Sequence, residues 1–88
     1  MATVFIPSLL RKLTAGKSSV TASGTTVGQL ISDLDRQFPG FRGQVIEDGE
    51  LKPSLAVSVD GEISTQGTLE PVHENSQVYF LPAIGGGT

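Results

Sequence analysis

The chain ends in Gly85-Gly86-Gly87-Thr88, and this end is the part of the sequence best suited to chemistry. It follows an apolar run, Val78-Tyr79-Phe80-Leu81-Pro82, that predicts a final strand leaving the body of a small domain. Glycine has no Cβ, so this tail can pass through a channel too narrow for other residues. Because ordering glycines costs entropy and adds nothing to fold stability, we expect something outside the fold to bind the tail. The alternative is an ordinary disordered chain end or an expression scar.

The other residue types offer little chemistry. Cysteine is absent from the 88 residues, which excludes a disulfide, a thiolate nucleophile and a cysteine-based metal site. The single histidine, His73, lies in a predicted turn where we expect it to be solvated, and no second histidine is present to build a metal site. No nucleophile elbow, Walker loop or dinucleotide fingerprint occurs. The sequence therefore argues against a self-contained enzyme.

Composition limits the partners and the location. Six basic and nine acidic residues give a formal net charge of −3, which disfavours nucleic acids and anionic membranes as partners. No run of roughly 20 apolar residues is available to span a membrane, and no secretory signal is apparent, so we expect a cytoplasmic location. Four cations could orient an acidic partner but are interpreted as solvated charges: Arg11, Lys12, Arg36 and Arg42.

Two strands are predicted at the start of the chain. The first runs from Ala2 to Pro7 and alternates between two faces, with Val4 and Ile6 on one and Thr3 and Phe5 on the other. The second, Ser18 to Ala22, follows closely enough to form an antiparallel hairpin with the first, although the loop is not one of the tight types.

One strong helix signal follows. Thr26-Val27-Gly28-Gln29 combines an N-cap hydroxyl with a glutamine three residues later, the spacing of a capping box, and Pro39-Gly40 stops the helix. An apolar stripe at helical spacing is interpreted as core: Val27, Leu30, Ile31, Leu34 and Phe38. The opposite side is polar: Ser32, Asp33, Asp35 and Arg36.

The second half of the chain predicts further strands. Phe41 to Pro53 is interpreted as irregular, with Val45 and Ile46 as inward anchors and Asp48-Gly49 as a turn. Leu55 to Val59 alternates, the inward positions being Leu55, Val57 and Val59 and the outward ones Ala56 and Ser58. Asp60-Gly61 predicts a type I′ hairpin leading into a return strand at Glu62-Ile63-Ser64, and the last strand is Gln77 to Leu81.

This order of elements, ββαββ(β), predicts an α+β domain over residues 1–82. We expect a β-grasp fold in which a mixed sheet of four to five strands packs on one helix and the last strand lies parallel beside the first. Residues 83–88 would form a flexible C-terminal glycine tail.

Several segments together resemble the MoaD/ThiS-type sulfur carriers, which are ubiquitin-like β-grasp proteins. The segments span nearly the whole chain: Val4-Phe5-Ile6-Pro7 with Leu10-Arg11-Lys12-Leu13, the helix from Thr26 to Leu34, Val57-Ser58-Val59-Asp60-Gly61, and Val78 to Ile84 before the glycines. The likeness is greatest to the carriers that serve cysteine biosynthesis, through Ser19 to Gly24 and Ile31-Ser32-Asp33-Leu34.

The resemblance implies a function for the terminal Gly86-Gly87. In the family, an activating enzyme adenylates the terminal carboxylate with ATP, and a sulfur donor converts it to a thiocarboxylate that delivers sulfur. The carrier itself binds no cofactor. A protein without cysteine can carry sulfur on this carboxyl, and residues 83–87, fully extended, would reach about 17 Å into a partner's active site. The implied acceptor is a pyridoxal-phosphate-dependent cysteine synthase.

Thr88 departs from the family pattern. Aligning Leu81-Pro82-Ala83-Ile84 with the family's tail places Gly86-Gly87 on the functional pair, with Thr88 one residue beyond it. A mature carrier must end in glycine, so the resemblance implies that a metalloprotease of the JAB/MPN type removes Thr88. Otherwise this chain is not a sulfur carrier.

A docking face is expected beside the tail. With Val4, Ile6, Val78 and Phe80 turned to the helix, alternation directs Phe5, Tyr79 and Leu81 to the open face of the sheet. Pro7 and Ile63 are expected to join them, and the family uses apolar residues in the region of Pro7, Ile63 and Leu81 against its activating and acceptor enzymes. Gly85 is included among the partner-binding residues as the start of the tail.

Three other functions remain open. The chain could be the small subunit of molybdopterin synthase, its tail completing the catalytic site of the large subunit. It could be a ubiquitin-like modifier that forms isopeptide bonds through Gly87. It could also be a β-grasp interaction domain with an inert tail.

Overall fold

The fold is built on a five-stranded mixed sheet. A computed structural model describes residues 1–82, so the expectations for residues 83–88 lie outside the described part of the chain. The strands of the sheet are β1 (Ala2–Phe5), β2 (Ser19–Ala22), β5 (Leu55–Val59), β6 (Glu62–Ile63) and β7 (Gln77–Pro82). They lie in the order β2-β1-β7-β5-β6.

The strand pairing confirms the predicted topology. The final strand β7 lies parallel to β1, with Phe5 opposite Tyr79, whereas β2 is antiparallel to β1 and β5 is antiparallel to β7. The long connection between β1 and β2 contains a 3-10 helix, Ser8–Thr14, which explains why this hairpin lacks a tight turn.

The predicted helix is confirmed as α1 (Val27–Gln37). The Thr26 hydroxyl accepts a hydrogen bond from the Gln29 N–H at 3.2 Å, as an N-cap should. The Gln29 side chain reaches one residue further back than a capping box requires and accepts from the Thr25 N–H at 2.8 Å. The apolar stripe of α1 is buried against the sheet, with Phe38 packed at its margin.

The segment predicted to be irregular is regular in part, so that expectation was wrong. It contains a short helix, α2 (Phe41–Val45), and a small hairpin of β3 (Ile46–Glu47) and β4 (Glu50–Leu51). Asp48 and Gly49 form the hairpin turn, both with positive φ, as a type I′ turn requires. The anchors Val45 and Ile46 pack on the core as expected. Phe41 is fully buried as well, and its ring meets Phe80 edge-on with 6.2 Å between centroids.

Two polar residues expected on outer surfaces are buried. Asp33, assigned to the solvent side of α1, is 8% exposed because its carboxylate turns back to the end of β2 and accepts from the Ser23 N–H. Ser58 faces outward as predicted but is 7% exposed, since the larger Tyr79 and Ile63 are paired on either side of it. A second 3-10 helix, Gly67–Leu69, follows β6. Within residues 1–82, no helix has the length and apolar character needed to cross a membrane.

Candidate docking surface beside the C-terminal strand

The central strand β7 leads directly to the tail. It lies between β1 and β5 and runs to Pro82, which is paired with Leu55. Because β7 is held on both sides, the chain leaves the domain from the middle of the sheet rather than from an edge. The predicted functional residues Gly85, Gly86, Gly87 and Thr88 lie outside the described residues.

The open face of the sheet carries a continuous row of paired residues, which we call the open-face row. Strand register places Phe5 opposite Tyr79, Tyr79 opposite Ser58, and Ser58 opposite Ile63. The rings of Phe5 and Tyr79 are stacked, with 4.3 Å between centroids and 7° between planes. Tyr79 is 38% and Ile63 60% exposed, so apolar surface is offered along the row. Three of the predicted partner-binding residues are thus brought together.

Two further predicted residues lie on the tail side of this row. Leu81 follows Tyr79 by two positions in β7, shares its face and is half-buried opposite Ala56. Pro7 follows Phe5 beyond the end of β1, is half-buried and has extended backbone angles as it enters the first 3-10 helix. The expected docking residues among residues 1–82 therefore form one patch next to the origin of the tail.

Asp60 has a role that its turn motif did not indicate. Asp60 and Gly61 form the predicted two-residue turn between β5 and β6, with φ values of 51° and 90°. In addition, the Asp60 carboxylate accepts hydrogen bonds from the Gln77 N–H at 2.8 Å and from the Ser76 hydroxyl at 2.9 Å. These bonds lower the pKa of Asp60 and tie the turn to the start of β7. Nothing in the local sequence pairs Asp60 with Ser76, which lies 16 residues away.

A second carboxylate fixes α1 on the sheet. Asp33 accepts from the Ser23 N–H at 3.1 Å, from the Gln37 amide at 3.0 Å, and from the Arg36 guanidinium. The Ser23 N–H is the largest cause that holds the pKa of Asp33 below its ordinary value; burial opposes it, and Arg36 and Gln37 reinforce it. Asp33 supports the layer behind the sheet and does not belong to the open-face row.

Outside the open-face row, the described residues contain one larger groove and scattered titratable side chains. Residues 1–82 contain no group of three or more histidine, cysteine or acidic side chains arranged to hold a metal ion. His73 is exposed, as expected from its turn position. A groove of about 670 Å³ lies beside β5, lined by residues 49–51, 55–57 and 64–69, but it does not include Tyr79 or Leu81. We therefore place the candidate site on the open-face row and the adjoining tail.

A β-grasp domain whose central C-terminal strand runs into a glycine tail has the architecture of a ubiquitin-like protein. The ThiS family model matches residues 4–87, and the chain belongs to this family. It is 36% identical over 90 residues to the protein named sulfur carrier protein CysO from Mycobacterium tuberculosis, covering 97% of both chains. It is also 31% identical to small archaeal modifier protein 3 of Haloferax volcanii, over 70% of each chain.

Solved structures agree with this assignment. The fold superposes with a TM-score of 0.90 on a chain in the crystal structure of the Amycolatopsis orientalis BexX/CysO complex, at 31% identity over 99% of this chain and 100% of that chain. The TM-score for the crystal structure of Mycobacterium tuberculosis CysO is 0.88, at 33% identity over 94% of this chain and 99% of that one. The resemblance drawn from the sequence and the predicted β-grasp fold are confirmed.

Proposed function

We propose that this protein is a sulfur carrier whose C-terminal glycine bears the sulfur, and that it serves cysteine biosynthesis. The observation that carries the proposal is the extent of the family match, which includes the glycine tail and ends at Gly87. Identity to a protein named as a sulfur carrier, over 97% of both chains, supports the same function. The protein acts as a substrate of its partner enzymes.

The proposed chemistry takes place on the Gly87 carboxylate. An activating enzyme transfers adenylate from ATP to this carboxylate and releases pyrophosphate; a sulfur donor then displaces AMP to leave a thiocarboxylate. The absence of cysteine from the chain is compatible with this route, because the sulfur is held on the terminal carbonyl carbon. The acceptor is a pyridoxal-phosphate-dependent cysteine synthase, which takes the sulfur from the thiocarboxylate.

Thr88 must be removed first, and we assign this step to a metalloprotease of the JAB/MPN type. The end of the family match one residue before Thr88 supports Gly87 as the mature terminus. If Thr88 stayed, its β-branched side chain would widen the end of a run of three glycines that have no Cβ atoms, and its carboxylate would lie one residue too far along.

The open-face row, with Leu81 and Pro7, is the proposed docking site for these enzymes. Aromatic and aliphatic groups with exposed surface are typical of protein interfaces, and here they adjoin the start of the tail. The BexX/CysO complex of Amycolatopsis orientalis supports the idea that a domain of this fold binds a partner protein.

The intact mass of the protein isolated from its natural host tests the proposal. We expect a chain that ends at Gly87, part of it heavier by the exchange of one oxygen for sulfur. A variant ending at Gly87 should acquire sulfur without proteolysis, whereas a matched variant ending at Ile84 should acquire none. A chain that retains Thr88 and carries no sulfur, even when the host is starved of sulfur, would refute the proposal.

A second candidate is a ubiquitin-like modifier that forms isopeptide bonds through Gly87. The match to small archaeal modifier protein 3 favours it, although the match covers only 70% of the chain. The same host sample distinguishes the two functions. Tryptic peptides in which the chain's C-terminal residues are attached to lysines of other proteins would establish the modifier, and their absence together with a thiocarboxylate would exclude it as the main role.

A further inference from the structure

The basic residues are concentrated at one end of the sheet. Because β1 and β7 are parallel, both end there, and the antiparallel strands β2 and β5 begin there; we call this the tail end. The segments that border the tail end, residues 7–18 and 52–54, contain no aspartate or glutamate. They contain four of the six basic residues of the chain: Arg11, Lys12, Lys17 and Lys52.

The opposite end of the sheet is acidic. Asp60 and Glu62 lie at the turn between β5 and β6, and Glu74 precedes β7, close to the start of β1. Glu74 pairs with the N-terminal ammonium group at 3.3 Å. Acidic residues thus border the start of β7, whereas segments 7–18 and 52–54, where β7 ends, carry only basic charges. Three further acidic residues, Glu47, Asp48 and Glu50, precede Lys52 in the β3–β4 hairpin.

Two of the basic residues border a small notch at the tail end. Lys12 and Lys52 line a cavity of about 220 Å³, together with Leu9, Leu10, Leu13, Gln44, Ser54 and Leu55. Leu9 is 76% exposed beside it and adds apolar surface to its margin. Leu55 places the notch beside the end of β7, because it is paired with Pro82 in the sheet.

The segment that carries this notch is fixed in place. The Arg11 Nε donates to the Ile6 carbonyl at 3.0 Å, which holds the first 3-10 helix against the end of β1. The buried Thr14 hydroxyl donates within the same loop, to the Arg11 carbonyl at 3.2 Å or to the Lys17 carbonyl at 2.9 Å. The cations and Leu9 are therefore presented on an ordered surface, which reduces the entropy lost on binding.

We propose that this basic notch is a second docking surface, and that its occupant is an acidic protein surface around the channel that receives the tail. The partner offers carboxylates to Lys12, Lys52 and Arg11, and an apolar side chain to Leu9. The inference rests on the proposed function, since it identifies how an enzyme of that pathway recognises the tail end. The four cations grouped at the tail end would turn this end of a protein of net charge −3 toward an acidic entrance as the two proteins approach.

A nucleic acid is the less suitable occupant. The chain as a whole is acidic, so phosphates would be repelled by most of its surface. The exposed Leu9 and the leucines lining the notch suit a protein side chain better than a sugar–phosphate backbone.

The first experiment uses the chain ending at Gly87, in which all the substitutions below are made. It measures adenylation of this chain by the activating enzyme of the same organism, as ATP–pyrophosphate exchange. Lys12→Gln with Lys52→Gln should raise the KM for the carrier about tenfold at about 0.05 M NaCl and leave kcat unchanged. The difference should largely vanish at about 0.5 M NaCl, because salt screens exposed charges. The matched control is Arg36→Gln with Arg42→Gln, which alters the net charge equally. Its KM should stay within about twofold of the value for the chain without substitutions.

A second pair of variants tests the apolar part of the notch. Leu9→Ser should also raise KM, whereas Leu69→Ser, at an equally exposed leucine in the second 3-10 helix, should not. Equal effects in the notch variants and their controls would overturn the proposal. If the chain ending at Gly87 supports no exchange even without the substitutions, the proposed function fails, and the next experiment alone then tests the notch.

That experiment titrates the ¹⁵N-labelled protein with an acetylated peptide of alternating glutamate and leucine and follows the amide shifts. The proposal expects saturable shifts in residues 9–13 and 52–55 that are lost in the Lys12→Gln, Lys52→Gln variant and kept in the Arg36→Gln, Arg42→Gln control. Shifts elsewhere, or none, would overturn it. Saturation by oligothymidylate at lower concentration than by the peptide would overturn it in favour of nucleic acid.

Discussion

The Asp33 carboxylate accepts hydrogen bonds from three donors near the junction of β2 and α1. The Ser23 N–H, the Gln37 amide and the Arg36 guanidinium all point at it, and the side chain is 8% exposed. A buried carboxylate is tolerated only when its oxygens are satisfied in this way. Helical periodicity placed Asp33 among polar neighbours and so on the solvent side; its true position depends on Ser23, which the periodicity of a single helix does not take into account.

This carboxylate should make stability depend on pH. Because its pKa is lowered in the folded protein, Asp33 stabilises the fold above its unfolded pKa of about 4, and this contribution is lost as the pH falls through the folded value. Asp33→Asn should therefore lower the free energy of unfolding by about 1 kcal/mol at pH 7 and by progressively less below pH 4. Urea denaturation at several pH values measures this.

The control for this prediction is Glu47→Gln, in the exposed hairpin of β3 and β4. At pH 7 it should change the free energy of unfolding by no more than about 0.5 kcal/mol, as is usual for an exposed substitution. A destabilisation by Asp33→Asn that is the same at pH 3 as at pH 7 would contradict the prediction, because it would indicate lost packing rather than a lost charge.

Between elements, the junction of β2 and α1 depends on the absence of a side chain at Gly24. This residue has a φ of 156°, and a Cβ placed there would lie 2.7 Å from the Gln29 Cβ and 3.0 Å from the Gln29 carbonyl carbon. Neither atom can move without shifting the first turn of α1. Gly24→Ala should thus cost more than about 2 kcal/mol of stability, measured by urea denaturation.

Gly43→Ala is the matched control for that substitution. Gly43 lies in α2, and a Cβ there would meet nothing within 4 Å. Alanine is the better helix former, so this variant should be as stable as the wild type or more stable by up to about 1 kcal/mol. If Gly24→Ala were equally harmless, the close approach to Gln29 would not be a constraint on the fold.

The elements that could be predicted from the sequence are those with a local signal. The helix α1 has a cap, an apolar stripe and a Pro-Gly stop, and the turns Asp48-Gly49 and Asp60-Gly61 have the chemistry of type I′ turns. The helix α2 was missed because its five residues, Phe41–Val45, are too few to show a helical period and include a glycine. Its formation depends on burial of Phe41 against Phe80, a tertiary contact.

At the scale of the whole molecule, the candidate site likewise has parts that follow from local sequence patterns and parts that depend on the tertiary fold. Alternation along β1 and β7 predicted that Phe5, Tyr79 and Leu81 would share the open face, and strand register confirms it for Phe5 and Tyr79. The basic notch was not predicted, since Lys12 and Lys52 are 40 residues apart in sequence and line the same notch only because β5 begins at the end of the sheet where β1 ends. The topology therefore adds Lys52 to the basic segment of residues 7–18.

Two docking surfaces of different chemistry should respond differently to salt. Ile63 is 60% exposed at the far end of the open-face row, so Ile63→Ser removes apolar contact area from a partner without opening the core. We expect it to weaken binding of the activating enzyme about tenfold. Leu69→Ser, in the second 3-10 helix, is the neutral control.

Apolar contact is not screened by ions, so the loss of affinity caused by Ile63→Ser should persist at about 0.5 M NaCl, where the loss caused by Lys12→Gln with Lys52→Gln should disappear. Affinities measured by calorimetry at two salt concentrations provide the comparison. An Ile63→Ser effect that vanished with salt, or that matched the Leu69→Ser control, would remove the open-face row from the interface.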